Sequence, residues 1–209
     1  MLWLFLADVS NISTEYDASS FSDYRKRKLE KIRIEQKRKQ SIGVELLLMH
    51  GVKKLVPQVQ FPLNIKCKEK GKPEFDDIPL YFSLSHSADY AACVISDAPV
   101  GLDIECETTY NERIVERFFL QHEQAGVLSA NNKDRAFAEV WTAKESAVKF
   151  LGDGLSRGLS SISVYDDHVI LLPENTALFL TKHETKDLFA AICSEHPQTK
   201  LCVEMLELA

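Results

Sequence analysis

The order of helix-forming and strand-forming segments is the feature that most restricts the fold of this chain. A stretch without Gly or Pro runs from Ser20 to Lys39, and the apolar stretch from Ser41 to Met49 continues it. Residues of this kind favour helix, so we expect two consecutive helices or one bent helix here. Short segments rich in aromatic and β-branched residues follow, and the same succession of helix and strands then recurs in the second half.

Three short segments in the middle of the chain read as strands: Tyr81–Ser85, Tyr90–Ile95 and Val100–Glu105. A polar turn separates the first two, and Asp97-Ala98-Pro99 makes a tight connection between the second and third. Tight connections join neighbouring antiparallel strands, so the simplest prediction is an antiparallel meander.

The second half begins with two helical patterns, Glu112–Leu128 and Arg135–Leu151, and Gly152-Asp153-Gly154 is suited to ending the second of them. The tail returns to four short strands: Ser161–Val164, Val169–Leu172, Ala177–Thr181 and Leu188–Cys193. This order predicts an α+β fold of two halves, each a small antiparallel sheet packed with a long helix. We place the division between residues 1–102 and 103–209.

The net charge of −6 conceals a basic segment. Residues 23–39 carry nine Lys or Arg and three acids, which leaves the rest of the chain at −12. Such a segment suits either an anion or a solvated helix face with salt-bridging neighbours. Nucleic acid is disfavoured as a partner because the remaining surface would repel phosphate and the segment lacks interleaved aromatic residues.

Cysteine usage and the start of the chain indicate the compartment. The five cysteines are odd in number and scattered, and no C-x-x-C pair occurs, so small buried thiols in a reducing compartment are the simplest interpretation. The apolar stretch Met1–Ala7 is too short to span a bilayer, and we interpret it as a first strand. We therefore expect a cytoplasmic location and no membrane partner.

The segment from Val100 to Glu105, V-G-L-D-I-E, carries the first chemical signal. In a strand, Asp103 and Glu105 project from one face, about 7 Å apart, while Leu102 and Ile104 enter the core. Two such carboxylates are costly without a cation, and hard oxygen ligands select magnesium or calcium. A surface strand with two solvated acids is the alternative.

A second signal lies on the helix over 135–151. Steps of four residues place Trp141, Glu145 and Lys149 along one stripe. Glu145 could supply a third metal ligand or a general base, and Lys149 could contact a phosphate. The alternative is a helix-stabilising Glu-Lys pair beside a core tryptophan.

The third signal is F-S-L-S-H-S at the end of the first middle strand, where Ser85 and His86 offer hydrogen-bond donors to an anion. A polar turn with a capping histidine is the alternative. A serine hydrolase is disfavoured because no G-x-S-x-G pattern occurs. No G-x-G-x-x-G or P-loop pattern occurs either, so any phosphate is held in another way.

Together these motifs resemble the Sfp-type 4'-phosphopantetheinyl transferases. The order S-x-S-H-S, then G-L-D-I-E, then W-x-x-K-E-S-x-x-K carries the resemblance, with Gly71-Lys72-Pro73 upstream and Gly152 to Leu155 downstream, over about residues 28–164. The resemblance implies two pseudo-symmetric α+β halves with coenzyme A in the cleft between them, and a monomer. It implies transfer of phosphopantetheine from coenzyme A to a serine of an acyl or peptidyl carrier protein, with release of 3',5'-ADP.

The resemblance also implies roles for individual residues. Asp103, Glu105 and Glu145 would ligate Mg²⁺, and Lys149 would contact the coenzyme A diphosphate. Lys72 and His86 would hold the nucleotide end, with His86 near the 3'-phosphate, and Ser85 is a lesser phosphate contact. Glu145 is the first choice of general base, and Glu123 is the second because a similar acid follows the paired aromatic residues in this family.

Two departures from the family pattern concern coenzyme A contacts. Many relatives have Arg where this chain has Gln40, so Arg38 or Lys39 is expected to take over that phosphate. Beyond Glu105, relatives often carry Lys-Thr, whereas this chain has Cys106-Glu107. This departure puts a phosphate contact by a threonine in doubt. Which of Lys28, Lys31 and Arg33 contacts coenzyme A stays open, because their correspondence to the family pattern could shift by one position.

Two other functions are compatible with these residues. A Mg²⁺-dependent nucleotide diphosphate hydrolase would use the same carboxylates with water as nucleophile. A noncatalytic carrier-protein or coenzyme A binding module would bind without turnover, although the intact set of three acids argues against it.

Overall fold

The computed structural model of the protein describes residues 1–67, 71–106, 108–152, 158–198 and 200–208. Within these ranges the chain forms eleven strands and five α-helices. The elements up to residue 96 are β1 (Leu2–Asp8), α1 (Asp23–Leu29), α2 (Glu35–Leu55), β2 (Ile65–Cys67), β3 (Pro73–Phe75), β4 (Tyr81–Ser87) and β5 (Tyr90–Ser96). The later elements are β6 (Val100–Glu105), α3 (Glu112–Phe118), α4 (Gln121–Ser129), α5 (Lys133–Leu151), β7 (Ile162–Val164), β8 (His168–Leu171), β9 (Thr176–Glu184), β10 (Phe189–Ser194) and β11 (Leu201–Glu207).

The first sheet has the order β11-β1-β5-β4, with β1 parallel to β11 and the other pairs antiparallel. Helix α2 packs its apolar residues on this sheet, and Phe5, Leu47 and Phe82 belong to the core between them. The prediction of two consecutive helices is confirmed, since α1 ends at Leu29 and α2 begins at Glu35.

The second sheet has the order β6-β10-β9-β8-β7 and is antiparallel throughout. Helix α5 crosses it so closely that a Cβ on Gly101 would overlap with the backbone of Ser146 and Phe150. The side chain missing from Gly101 is therefore what lets α5 approach β6. The predicted stop after Leu151 is confirmed by Gly152, which caps α5 in the left-handed conformation at φ 71°.

The predicted meander of three strands is wrong at its third member. Strands β4 and β5 pair as expected, but β6 pairs with β10 in the second sheet. Both edges of β5 are already occupied by β1 and β4, so β6 has no edge of β5 to join. Leu4 and Val94 of the first sheet instead pack against Leu102 of the second in a shared core.

The two sheets do not follow the division at residues 102 and 103. Strand β6 spans that point and belongs to the second sheet, whereas β11 returns to the first. The α+β class with small, mainly antiparallel sheets is confirmed, and the division into halves stays a prediction. In the part of the chain that the structure describes, no helix has the length and apolar character needed to cross a membrane.

Candidate active site

A cavity of about 590 Å³ lies between the two sheets and brings most of the predicted site residues together. Helix α1, strand β4 and the segment before β3 contribute to its wall, and so do β6 and α5. The chemically active side chains at its wall are Tyr24, Arg25, Lys28, Lys72, Ser85, His86, Asp103, Glu105, Trp141, Glu145 and Lys149.

Asp103 is the most buried acid at this wall, with 6 % of its surface exposed. Its Oδ1 atom accepts hydrogen bonds from Ser85 Oγ at 2.8 Å and from Lys149 Nζ at 2.7 Å. Its Oδ2 atom is buried and has no hydrogen-bond partner among the described residues. A solvated strand acid is therefore excluded here, and one oxygen of a buried carboxylate is left for a ligand.

Glu105 lies two residues further along β6 on the same face. Its Oε2 atom accepts a hydrogen bond from Ser87 Oγ at 2.8 Å and a longer one from Thr108 Oγ1 at 3.4 Å. Burial raises the pKa of Glu105, the bond from Ser87 opposes that shift, and the negative charge of Asp103 adds to it. Leu102 and Ile104 are buried on the opposite face, as the alternation predicts.

Glu145 faces the same cavity from α5, one turn after Trp141 and one turn before Lys149. Burial raises its pKa, and the negative charges of Asp103 and Glu105 raise it further, while Lys149 opposes them. The helix stripe predicted from the four-residue spacing therefore lines the cavity. The three acids repel one another across a partly dry space.

The donor set fits a hard divalent cation. The acids offer carboxylate oxygens, of which Asp103 Oδ2 has no partner among the described residues, and burial together with the neighbouring acids raises the pKa values of Glu105 and Glu145. In the described ranges, however, no group of three or more His, Cys, Asp or Glu side chains is drawn close enough to enclose a metal ion. The ammonium of Lys149 lies against Asp103 instead.

Ser85, predicted as a phosphate contact, is 4 % exposed and is held by its neighbours. Its hydroxyl donates to Asp103 Oδ1 and accepts from Ile104 N and Lys149 Nζ. A hydroxyl has one proton and two lone pairs, so all three positions are occupied. Ser85 thus contacts the acid site rather than presenting a free donor.

His86 and Lys72 also line the cavity. The surrounding protein partly desolvates His86, although its surface is exposed, and this lowers its pKa; the positive charge of Lys149 lowers it further. Lys72 Nζ donates to the carbonyl oxygens of Val100 and Phe150, at 3.2 and 2.8 Å, which ties it to both β6 and the end of α5.

Helix α1 adds two further basic residues to the cavity wall, Arg25 and Lys28, with Tyr24 beside them. The guanidinium of Arg25 is held by Glu45 Oε2 at 3.2 Å and Ser41 Oγ at 3.0 Å. Both partners are buried, so this cation is fixed in place. The sequence prediction left open whether Lys28 contacts coenzyme A, and it did not name Arg25. The three-residue spacing of the two, which places them on one face of a helix, was the available signal.

Arg38 and Lys39 lie outside the cavity. Arg38 donates to the carbonyl oxygens of Thr14 and Leu29, and Lys39 to that of Ser10. Helix α1 ends at Leu29 and α2 begins at Glu35, so Arg38 and Lys39 belong to a different helix from the cavity-lining Arg25 and Lys28.

Glu123, the second candidate for the general base, also lies outside the cavity. It is 4 % exposed and pairs with Lys144 at 2.8 Å, while its oxygens accept from Leu120 N and Val164 N. Lys144 donates in addition to Leu159 O and Ile162 O. Glu123 therefore joins α4, α5 and β7. Glu107, Asp153, Gly154 and Leu155, which the sequence analysis also named, fall outside the described residues.

Comparisons with known proteins agree with the motifs at this cavity. Residues 99–199 match the model of the 4'-phosphopantetheinyl transferase superfamily. The chain is 32 % identical over 171 residues to a 4'-phosphopantetheinyl transferase of Bacillus pumilus, covering 78 % of this chain and 73 % of the relative. It is 34 % identical over 153 residues to one of Bacillus subtilis, covering 68 % of each. The Bacillus subtilis protein Sfp is 32 % identical over 144 residues, 65 % of this chain and 64 % of Sfp. The chain therefore belongs to the 4'-phosphopantetheinyl transferase superfamily and, within it, to the Sfp-type enzymes.

Proposed function

We propose that the protein transfers the 4'-phosphopantetheine group from coenzyme A to a serine of an acyl or peptidyl carrier protein, releasing 3',5'-ADP. The observation that carries this proposal is the convergence of three acids, Lys149 and a fixed basic wall on one cavity, in a chain of this family. The acids suit a cation that accompanies a diphosphate, and the basic wall suits the phosphates themselves.

Asp103, Glu105 and Glu145 would hold the metal ion, which we propose to be Mg²⁺. When bound, such an ion neutralises charge on a diphosphate and so lowers the barrier to its cleavage. Carboxylate oxygens are the donors that Mg²⁺ prefers, and the unpartnered Oδ2 of Asp103 supports the assignment. Lys149 contacts the Oδ1 atom of Asp103, so the same carboxylate would offer its Oδ2 atom to the ion.

The cationic side chains would bind the anionic groups of coenzyme A. We assign Lys149 to the diphosphate, because it lies among the acids, and Lys72 and His86 to the nucleotide end. Arg25 and Lys28 of α1 line the same cavity, and the buried bonds that Arg25 donates to Glu45 and Ser41 hold it in a defined position. A preorganised cation loses less freedom on binding a phosphate than a mobile one does.

Removal of the proton from the attacking serine is assigned to a carboxylate oxygen of Glu145. This side chain lines the cavity from α5, one turn before Lys149, and a carboxylate oxygen is a suitable acceptor for the proton of a serine hydroxyl. Glu123 remains the second candidate, but its bonds to Lys144 and to two backbone N–H groups occupy its oxygens and lend that role no support.

The proposal includes a monomeric, cytoplasmic enzyme that binds neither nucleic acid nor membranes. The net charge of −6 supports the absence of a nucleic-acid partner, since most of the surface would repel phosphate backbones.

The test is intact-mass spectrometry of apo carrier proteins, one acyl and one peptidyl, after incubation with the enzyme, coenzyme A and Mg²⁺. An added phosphopantetheine mass that a chelator abolishes is the expected result. Free pantetheine phosphate with an unchanged carrier would indicate a hydrolase. Coenzyme A binding without either product would indicate a noncatalytic module.

A further inference from the structure

Strands β4 and β6 lie side by side at the junction of the two sheets, but they belong to different sheets. Three alternate serines of β4 connect them. The Oγ atoms of Ser83, Ser85 and Ser87, which we call the β4 serines, accept hydrogen bonds from backbone N–H groups of residues 102, 104 and 106, at 2.9, 3.2 and 3.2 Å. Side-chain hydroxyls thus replace the carbonyl oxygens of an ordinary strand pair.

These bonds fix the direction of each hydroxyl proton. A backbone N–H can only donate, so it uses a lone pair of the serine oxygen and leaves the single proton for another acceptor. Ser85 directs that proton to Asp103 Oδ1 and Ser87 directs its own to Glu105 Oε2, both at 2.8 Å. Ser83 makes the same kind of backbone bond but contacts no carboxylate among the described residues.

The charge-assisted bonds are short and lie in a partly dry space. Ser85 and Asp103 are 4 % and 6 % exposed, so this contact is protected from competition by water. Each bond occupies an oxygen of one acid and restricts the rotation of its carboxylate group. The remaining oxygen of Asp103, Oδ2, has no partner.

We propose that Ser85 and Ser87 are positioning residues, which connect the two sheets and at the same time hold Asp103 and Glu105 in the orientation that receives the divalent cation. The inference rests on the proposed metal site. It gives Ser85, which the sequence analysis assigned to phosphate, a role at the acids, and it extends that role to Ser87.

The experiment compares three single variants of the full chain, Ser83→Ala, Ser85→Ala and Ser87→Ala. Each loses one acceptor of a backbone N–H group, but only the last two lose a bond to a carboxylate. Thermal unfolding without metal measures the shared structural effect. Binding of Mn²⁺, used as the probe in the presence of coenzyme A, is measured by the loss of its free electron paramagnetic resonance signal and does not require turnover.

The three variants are expected to lose similar thermal stability. Ser85→Ala and Ser87→Ala are expected to bind Mn²⁺ about 10-fold more weakly, as is typical when a partner of a metal ligand is removed, whereas Ser83→Ala keeps its affinity. Ser87 is half-buried, and Ser87→Thr, which retains the hydroxyl, is expected to restore binding. Unchanged affinity in both carboxylate-linked variants, or an equal loss in Ser83→Ala, would overturn the inference while leaving the metal site in place. Failure of the unmodified protein to bind Mn²⁺ would overturn the metal site and this inference together.

Discussion

Lys149 Nζ of α5 and Asp103 Oδ1 of β6 lie 2.7 Å apart and form an ion pair at the centre of the cavity. A cation of the protein thus occupies the carboxylate that we assign to a metal ion. Lys149 has side-chain oxygens of Asp103 and Ser85 as its nearest partners, so it belongs to the acid site even without ligands. Lys149→Ala is expected to reduce carrier loading at least about 100-fold, because a charge-assisted contact to the diphosphate is lost.

Lys182→Ala is the matched control for that variant. Lys182 also pairs with an aspartate, Asp166, at 2.9 Å, and its side chain is 30 % exposed against 31 % for Lys149. It does not line the cavity. Loading by the two variants at equal rates would reject the role of Lys149.

Glu145→Gln is expected to remove carrier loading without loss of stability. The carboxylate accepts no hydrogen bond from the described residues, and its raised pKa means that the ionised form is disfavoured in the fold. Removing the charge should therefore not lower the free energy of unfolding, which denaturant unfolding at neutral pH measures. Glu139→Gln on the same helix, which breaks a pair with Arg135 at 3.0 Å, is the control and should load carrier normally. Substantial loading by the Glu145 variant would eliminate it as base and ligand.

Stability of the metal-free protein is expected to fall as pH rises through the range above about 4.5, the ordinary pKa of a glutamic acid side chain. Glu105 and Glu145 have raised pKa values in the fold, so the folded state binds more protons than the unfolded state in that range, and raising the pH favours unfolding. The pKa of His86 is lowered in the fold, so at pH values below 6.5, the ordinary pKa of histidine, this residue makes the free energy of unfolding rise with pH instead.

The comparison that isolates the acids is denaturant unfolding of the unmodified protein and of Glu105→Gln/Glu145→Gln, followed across about pH 5 to 8. The free energy of unfolding of the double variant should not fall with pH in this range. An equal pH dependence in both proteins would show that the pKa values of the two carboxylates are not raised in the fold.

Glu123→Ala is expected to lower the free energy of unfolding by about 3 kcal/mol, because it leaves the ammonium of Lys144 buried without its counter-ion. Glu123→Leu/Lys144→Met removes both charges and should recover much of that stability. Carrier loading by the recovered double variant then separates the two candidate bases. A stable double variant without activity would favour Glu123 as the base.

His86→Ala is expected to weaken coenzyme A binding by about 10-fold and to affect 3'-dephospho-coenzyme A far less, since the imidazole is assigned to the 3'-phosphate. Isothermal titration with both ligands measures the difference. His122→Ala provides the control, because His122 stacks on Tyr165 away from the cavity. Equal weakening of the two ligands would contradict the assignment.

The parts of the site that the sequence predicted are those set by local periodicity. Alternation along β6 placed Asp103 and Glu105 on one face, and the four-residue step along α5 placed Glu145 and Lys149 on one stripe. Both patterns depend only on residues close in sequence.

The parts that were missed depend on contacts between distant segments. Alternation in β6 identifies its two faces but does not say which strand lies beside it, so the pairing with β10 and the bonds from the β4 serines were not predicted. Strand β11 was not predicted, since its apolar residues do not all lie on one buried face: Val203 and Met205 are exposed, whereas Glu204 is half-buried. The sequence could not predict which of the many basic residues in 23–39 face the cavity, because that depends on how α1 and α2 are oriented in the fold.

The parallel pairing of β1 with β11 has a consequence for how the protein is made. Residues 201–207 emerge from the ribosome after all of the second sheet, so until then one edge of β1 has exposed, unpaired N–H and C=O groups. Strand β1 is among the most apolar segments of the chain, with Leu4, Phe5 and Leu6 fully buried once folding is complete. The nascent chain, rather than the finished enzyme, is therefore the form in which this apolar edge is open to pairing with other chains.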